Sequence, residues 1–290
     1  MSDSSQNTPQ DLNRIVADMP SGQPRIIAIA NQKGGVGKTT TSINITASLQ
    51  SIGQRALLVD LDPQGNATMG SGINKNELEH TALDALLGEA TFAEVVQFSE
   101  AAGYSVLPSN SDMTAADVEL HASEKREQRL KLLLDGVMDQ FDYIIIDCPP
   151  SLNMLTLNAL IAADGVLIPM QCEYFALEGL SALMETIENI KSAVNPNLAV
   201  EGILRTMFDP RNNLANEVSA QLIRHFSDLV YRTVIPRNVR LAEAPSHGLP
   251  ATVYDRASKG AIAYLALASE IHRRQQKNTQ QQEQQKRVSA

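Results

Sequence analysis

The sequence predicts a doubly wound α/β fold: a mostly parallel sheet with helices on both faces. Two observations carry this expectation. Short apolar runs rich in β-branched residues recur along the chain, separated by helix-like stretches. The first run leads directly into a glycine-rich loop and then a helical pattern, giving the order strand, loop, helix. In such a sheet, ligands sit at the carboxyl ends of the strands.

Each element follows in order. RIIAIA (25–30) reads as a buried strand, and the segment from Lys38 to Ser51 as a helix. RALLVD (55–60) is the second strand, followed by a Gly/Asn loop and the helix-like ALDALLG. YSVLP (104–108) is the third, and FDYIIID (141–147), ending at an acid, is the clearest. DGVLIPM (164–170), AVEGILRTMF (199–208) and TVIP (233–236) complete the set. Residues 1–24 are polar and carry Pro9, Pro20 and Pro24, so a flexible tail is expected there. Residues 25–273 form the expected folded domain. The Gln-rich stretch 274–290 has too few apolar residues to bury and is expected to be disordered.

Composition limits the function classes. Apolar residues at 43 % and charged residues at 20 % fit a globular bulk. The longest apolar run, Ala261–Ala268, is far short of the ~20 residues of a membrane-spanning helix. The first residues lack the basic-then-apolar order of a secretory signal. Cys148 and Cys172 are too few for a disulfide scaffold and form no CxxC pair, so buried thiols in a cytoplasmic protein are expected. The net charge of −9 hides an asymmetry. Residues 205–290 hold 13 Lys/Arg against 7 Asp/Glu, whereas the rest of the chain is strongly acidic. Such a split hints at a polyanion-binding face, although exposed cations also simply solvate helices.

The loop after the first strand reads Asn31-Gln32-Lys33-Gly34-Gly35-Val36-Gly37-Lys38-Thr39-Thr40. Its glycines let backbone N–H groups approach phosphate oxygens, and the following helix points its positive end at the same anion. Lys38 is placed to reach the β- and γ-phosphates of a nucleotide, the Thr39 hydroxyl to ligate Mg²⁺, and Thr40 to add a phosphate contact. The common GxxxxGK[ST] pattern would have glycine at position 32; glutamine stands there instead, and a second lysine, Lys33, opens the loop. Two acids complete a nucleotide site. The second strand runs into Asp60-Leu61-Asp62, where Asp60 and Asp62 share a face or a rim, and one carboxylate there can hold a water in line with the γ-phosphate. Asp147 closes YIIID as a Walker B acid does, holding Mg²⁺ directly or through water. Its other reading is a cap for a helix starting near Ser151.

The strings KGGVGKTT, DLDPQGNAT, IIIDCPPSL, TMFDPRNNLA and IPRNVRLAEAPSHGLP resemble the ParA/Soj chromosome- and plasmid-partitioning ATPases, of the deviant Walker-A class that also holds the MinD branch. The resemblance spans about residues 25–272 and makes the folded domain a ParA-type P-loop ATPase. It implies that Lys33 is the signature lysine crossing a homodimer interface to the partner's nucleotide, with Lys38 as the P-loop lysine. It implies Asp62 as the acid orienting the attacking water and Asp147 as the Walker B acid. Residues Lys33, Gly34, Gly35, Val36, Gly37, Lys38, Thr39 and Thr40 then hold ATP, and Pro236 and Asn238 contact the adenine. The family's ATP dimer binds double-stranded DNA without sequence preference, and a ParB/Spo0J-type centromere-binding partner stimulates an intrinsically slow hydrolysis. Family DNA contacts map onto Arg211 and Arg240, with Arg237, Arg256 and Lys259 as companions. A cytoplasmic, nucleoid-associated protein follows from the resemblance.

Membrane attachment is not expected, because the last stretch offers Val288 as its only large apolar residue. Two other readings stay open: a ParA-like ATPase that positions another cargo, such as a protein cluster or microcompartment, and a small-molecule ATP-dependent synthetase of related fold.

Overall fold

The computed structural model describes residues 23–289. Eight strands form one sheet: β1 (Arg25–Ile29), β2 (Ala56–Asp60), β3 (Gln97–Ser99), β4 (Tyr104–Leu107), β5 (Tyr143–Asp147), β6 (Gly165–Gln171), β7 (Ala199–Phe208) and β8 (Val230–Pro236). Their spatial order is β3-β4-β2-β5-β1-β6-β7-β8. Every neighbouring pair is parallel except β3 with β4. The doubly wound expectation is therefore met, with one antiparallel edge strand added. That strand, QFS, spans three residues and leaves Gln97 and Phe98 exposed, which is too short to show a periodicity.

The period of two along each strand divides the core. Ile26 and Ala28 of β1 join Leu57, Val59, Ile144 and Ile146 on one face. Ile27 and Ile29 join Leu58, Tyr143 and Ile145 on the other. Helix α1 (Lys38–Ser51) covers the second face through Ile43, Ile45 and Leu49. Helices α2 (Met154–Ala162), α3 (Ala176–Ala193) and α4 (Asn213–Phe226) cover the first through Leu155, Leu160, Leu183 and Leu222. Both faces are buried, so the inner strands read as unbroken apolar runs rather than alternating ones.

The last helix, α5 (Lys259–Ser289), packs Tyr264, Leu267 and Ile271 against α1's side of the sheet. It continues as helix through 274–289, where a disordered tail was expected. The physical reason is cooperativity. The packed first turns supply the costly nucleus, and Gln, Glu, Lys and Arg then propagate a helix well even without apolar contacts. Residues 1–22 of the expected N-terminal tail lie outside the described residues. Among the described residues no helix is long and apolar enough to cross a membrane. Cys148 and Cys172 are both free and buried.

Candidate nucleotide-binding site

The carboxyl ends of β1, β2, β5, β6, β7 and β8 share one edge of the sheet, because these strands run parallel. The loop after β1 lies there. Gly35 (φ 73°) and Gly37 (φ 90°) hold left-handed backbone, and Gly37 is the N-cap of α1. Residues with a Cβ adopt these angles at a cost, so the turn from strand to helix needs glycine at both positions. Asn31 anchors the loop's start: its Nδ2 donates to the Pro169 carbonyl at 2.8 Å, and its Oδ1 accepts from the Lys33 amide at 3.0 Å. Val36 is buried beneath the loop, while Lys33, Gly34 and Gly35 are exposed above it.

Lys38 is 93 % buried at the mouth of α1, with 7 % exposure, and its Nζ donates to the Lys33 carbonyl at 3.3 Å. Burial lowers its pKa, and the nearby carboxylates Asp147 and Asp62 oppose that shift. Thr39 and Thr40 are half-buried in the first turn. Lys33 instead reaches across to Glu173, beyond the end of β6, in an exposed ion pair.

The acids separate by depth. Asp60 and Asp147 lie side by side in register at the tips of β2 and β5, both fully buried. Asp60 accepts from the Thr68 amide and hydroxyl, each at 2.8 Å, and from the Asp62 amide at 3.1 Å. Asp147 Oδ1 accepts from Ser42 Oγ at 2.8 Å, and its Oδ2 is buried with no hydrogen-bond partner. Burial raises both pKa values, and for Asp147 the neighbouring Asp60 adds to the rise, while the Ser42 and Thr39 hydroxyls favour the ionised form. Asp62 lies one residue past Leu61 in the loop, half-buried, its Oδ1 accepting from the Gln64 amide at 2.9 Å. Asp60 and Asp62 thus do not share one role: the first braces the loop from inside, and the second is open to a ligand. The helix after Asp147 begins at Met154 and is capped by Asn153, whose side chain accepts from the Thr156 amide. Asp147 is therefore no helix cap.

This arrangement suits a magnesium nucleotide. An unpartnered carboxylate oxygen in a buried site carries an unmet electrostatic demand that a divalent cation satisfies. Thr39, in the first turn of α1, carries a hydroxyl that favours the ionised form of Asp147. Asp147 and Thr39 are the residues that would hold the ion, and the loop amides with Lys38 would hold the phosphates.

The remaining expected residues lie along the same edge. Pro236 ends β8, and Asn238 caps a short helix at Val239–Glu243 by accepting from the Arg240 amide at 3.0 Å. Arg211 pairs with Asp209 at 2.7 Å and holds that carboxyl down to a pKa of about 2. Arg240 pairs with Glu243 at 2.7 Å and Asp255 at 3.2 Å. Arg237, Arg256 and Lys259 are exposed and make no ion pair among the described residues. Lys259 opens α5, where the helix dipole disfavours a cation.

An AAA-domain family model matches residues 24–200. The sporulation initiation inhibitor protein Soj of Bacillus subtilis is 52 % identical over 85 % of this chain and 98 % of its own length. The chromosome partitioning protein ParA of Myxococcus xanthus is 52 % identical over 86 % of this chain and 88 % of its own. The chain belongs to the ParA/Soj family. Among solved structures, a cobyrinic acid a,c-diamide synthase of Mycobacterium smegmatis, with an ATP analogue and magnesium bound, superposes with a TM-score of 0.77. That protein is 38 % identical over 86 % of this chain and 94 % of its own. The ParA/Soj strings quoted from the sequence place their phosphate loop and acids at the strand ends. Sequence reasoning did not single out Asn31, Ser42, Thr206 or Glu173. Ser42 carried a usable signal, since it lies one helical turn beyond Lys38 on the same face. Asn31 stands in the loop itself, but its partner Pro169, like Thr206 and Glu173, comes from elements far away in the chain.

Proposed function

We propose that this ParA/Soj protein binds and hydrolyses ATP with Mg²⁺ and acts as a DNA-segregation switch. The observation that carries the reading is the convergence, on one sheet edge, of the two-lysine phosphate loop, Asp62, Asp147 and the cation-bearing segments 209–211 and 237–259. The loop amides and Lys38 grip the phosphates. Bound Mg²⁺ would neutralise phosphate charge during transfer. Asp62 orients a water at the γ-phosphorus; the new P–O bond forms as the bond to the β–γ bridging oxygen breaks, giving ADP and phosphate. Lys33 of each subunit reaches the partner's nucleotide in an ATP-bound homodimer and stabilises the developing charge. To do so it leaves Glu173, and an exposed pair of this kind is worth only ~0–1 kcal/mol. Pro236 and Asn238 frame the adenine.

The dimer aligns Arg211, Arg237, Arg240, Arg256 and Lys259 from two subunits, so ATP raises affinity for double-stranded DNA by changing the oligomeric state. A ParB-type partner then speeds a slow hydrolysis and releases the DNA, in a cytoplasmic, nucleoid-associated cycle. The test is DNA binding with ATP, with ADP and without nucleotide, on two unrelated duplexes at two salt concentrations. ATP-specific, sequence-blind, salt-sensitive binding is expected. A second reading, a small-molecule ATP-dependent synthetase, is favoured by the 38 % identity to the M. smegmatis structure. It predicts nucleotide binding with no DNA affinity in any state. The 52 % identities to proteins named for partitioning and sporulation control favour the first.

A further inference from the structure

Met207 is one of two non-glycine residues with positive φ among the described residues, at 49°; the other, Lys125, is in an exposed turn. A side chain held in this region persists only where its surroundings over-determine it. The surroundings here are the phosphate loop. The Gln171 side-chain amide is packed tightly against Met207 Sδ, and its nitrogen donates to the Gly35 carbonyl at 3.4 Å. Thr206 Oγ1 donates to the Val36 carbonyl at 2.8 Å in a buried bond between residues 170 positions apart. A Cβ built on Gly37 would lie 3.9 Å from Met207 Cε and 4.0 Å from Thr206 Cγ2. Three consecutive loop residues therefore rest on the tips of β6 and β7.

Downstream, Phe208 pairs with Pro236, and its carbonyl accepts from the Arg237 amide at 3.4 Å. Asp209 then clasps Arg211, accepting from its amide at 3.0 Å and from its Nε at 2.9 Å, with the Arg211 side chain 89 % exposed.

A peptide unit is planar, so the C=O of one residue and the N–H of the next turn together. The Gly35 and Val36 carbonyls share their planes with the Val36 and Gly37 amides. If those amides turn to wrap a phosphate, the two carbonyls bonded to Gln171 and Thr206 turn with them. We propose that Met207, held by Thr206 and Gln171, is a positioning residue that couples nucleotide occupancy of the phosphate loop to the setting of the Asp209–Arg211 loop. A strained residue suits this task, because a small push at Thr206 shifts the balance between two backbone settings at Met207. The role of Arg211 at the output end rests on the proposed function; the coupling does not.

The test is hydrogen exchange on the full chain, read by mass spectrometry, with and without a non-hydrolysable ATP analogue and Mg²⁺. In the wild type, amides 35–41 and those of Asp209 and 211–213 should respond together, the latter by about fivefold or more, the lower range of site-to-site coupling. Met207→Gly adopts positive φ freely and lacks the thioether. Thr206→Val lacks the hydroxyl. Both should keep the response at 35–41 and lose most of that at 209–213, with thermal melting confirming that they fold. An unresponsive 209–213 segment in the wild type overturns the coupling, as does an equal response in both variants. A wild type that couples the two segments yet binds DNA equally with the analogue and with ADP overturns the DNA role of Arg211 and leaves the coupling standing.

Discussion

Arg240→Ala measures the basic edge through its salt dependence. Each phosphate neutralised contributes about −0.9 to the slope of log K against log salt. Arg211, Arg237, Arg240, Arg256 and Lys259 in two subunits set a ceiling of about −9. Arg211 and Arg240 already face carboxylates, and a cation neutralised within the protein displaces fewer counterions. Counting only Arg237, Arg256 and Lys259 gives a floor of about −5. The slope for the ATP-bound protein should fall between these values. If Arg240 exchanges Glu243 and Asp255 for DNA phosphates, its removal from both subunits makes the slope about 1.8 shallower. Between about 50 and 200 mM salt the affinity change then shrinks by about 12-fold. Fluorescence anisotropy of a labelled duplex across that range reads both numbers. A slope unchanged in Arg240→Ala, with affinity also unchanged, would refute the reasoning and leave Arg240 as an intramolecular ion pair.

Other substitutions test the nucleotide side. Lys38→Ala should remove the thermal stabilisation by Mg²⁺ and ATP, which in the wild type reaches about 2.7 kcal/mol at a hundredfold excess over Kd; calorimetric titration and melting curves check it. Asp62→Ala should keep ATP-dependent dimerisation and DNA binding while phosphate release falls at least ~100-fold, and rapid turnover would contradict the role of Asp62. Asp147→Asn should lose magnesium-dependent nucleotide binding yet melt higher than the nucleotide-free wild type at pH 8. The sign follows from the raised pKa of Asp147: the folded wild type binds more protons than the unfolded chain, so its stability falls as pH rises above the ordinary carboxylate range. The advantage of the variant should therefore shrink as pH is lowered toward 5, and a pH-independent difference in melting temperature would argue against the buried charge.

The sheet, the glycine-rich loop after β1 and the acids at the strand ends were legible in the sequence. Apolar runs such as YIIID announce buried parallel strands because both faces of the sheet are covered. Glycines at 35 and 37 mark a turn only glycine makes cheaply, and Asp147 ends its strand where ligands gather. These signals are local, carried by residues a few positions apart. Tertiary structure decided the rest. Asp60 and Asp147, 87 positions apart, become neighbours through strand pairing; burial raises both pKa values, and the neighbouring Asp60 adds to the rise at Asp147. Lys33 meets Glu173 and Thr206 braces Val36 through the crossing connections, and Arg240 meets Asp255 through the turns that follow β8. The helix at 274–289 also depends on tertiary context, since its nucleus is the packed segment around Tyr264 and Leu267 rather than its own glutamines. Composition reports what a segment can bury, whereas only the fold reports what it is attached to.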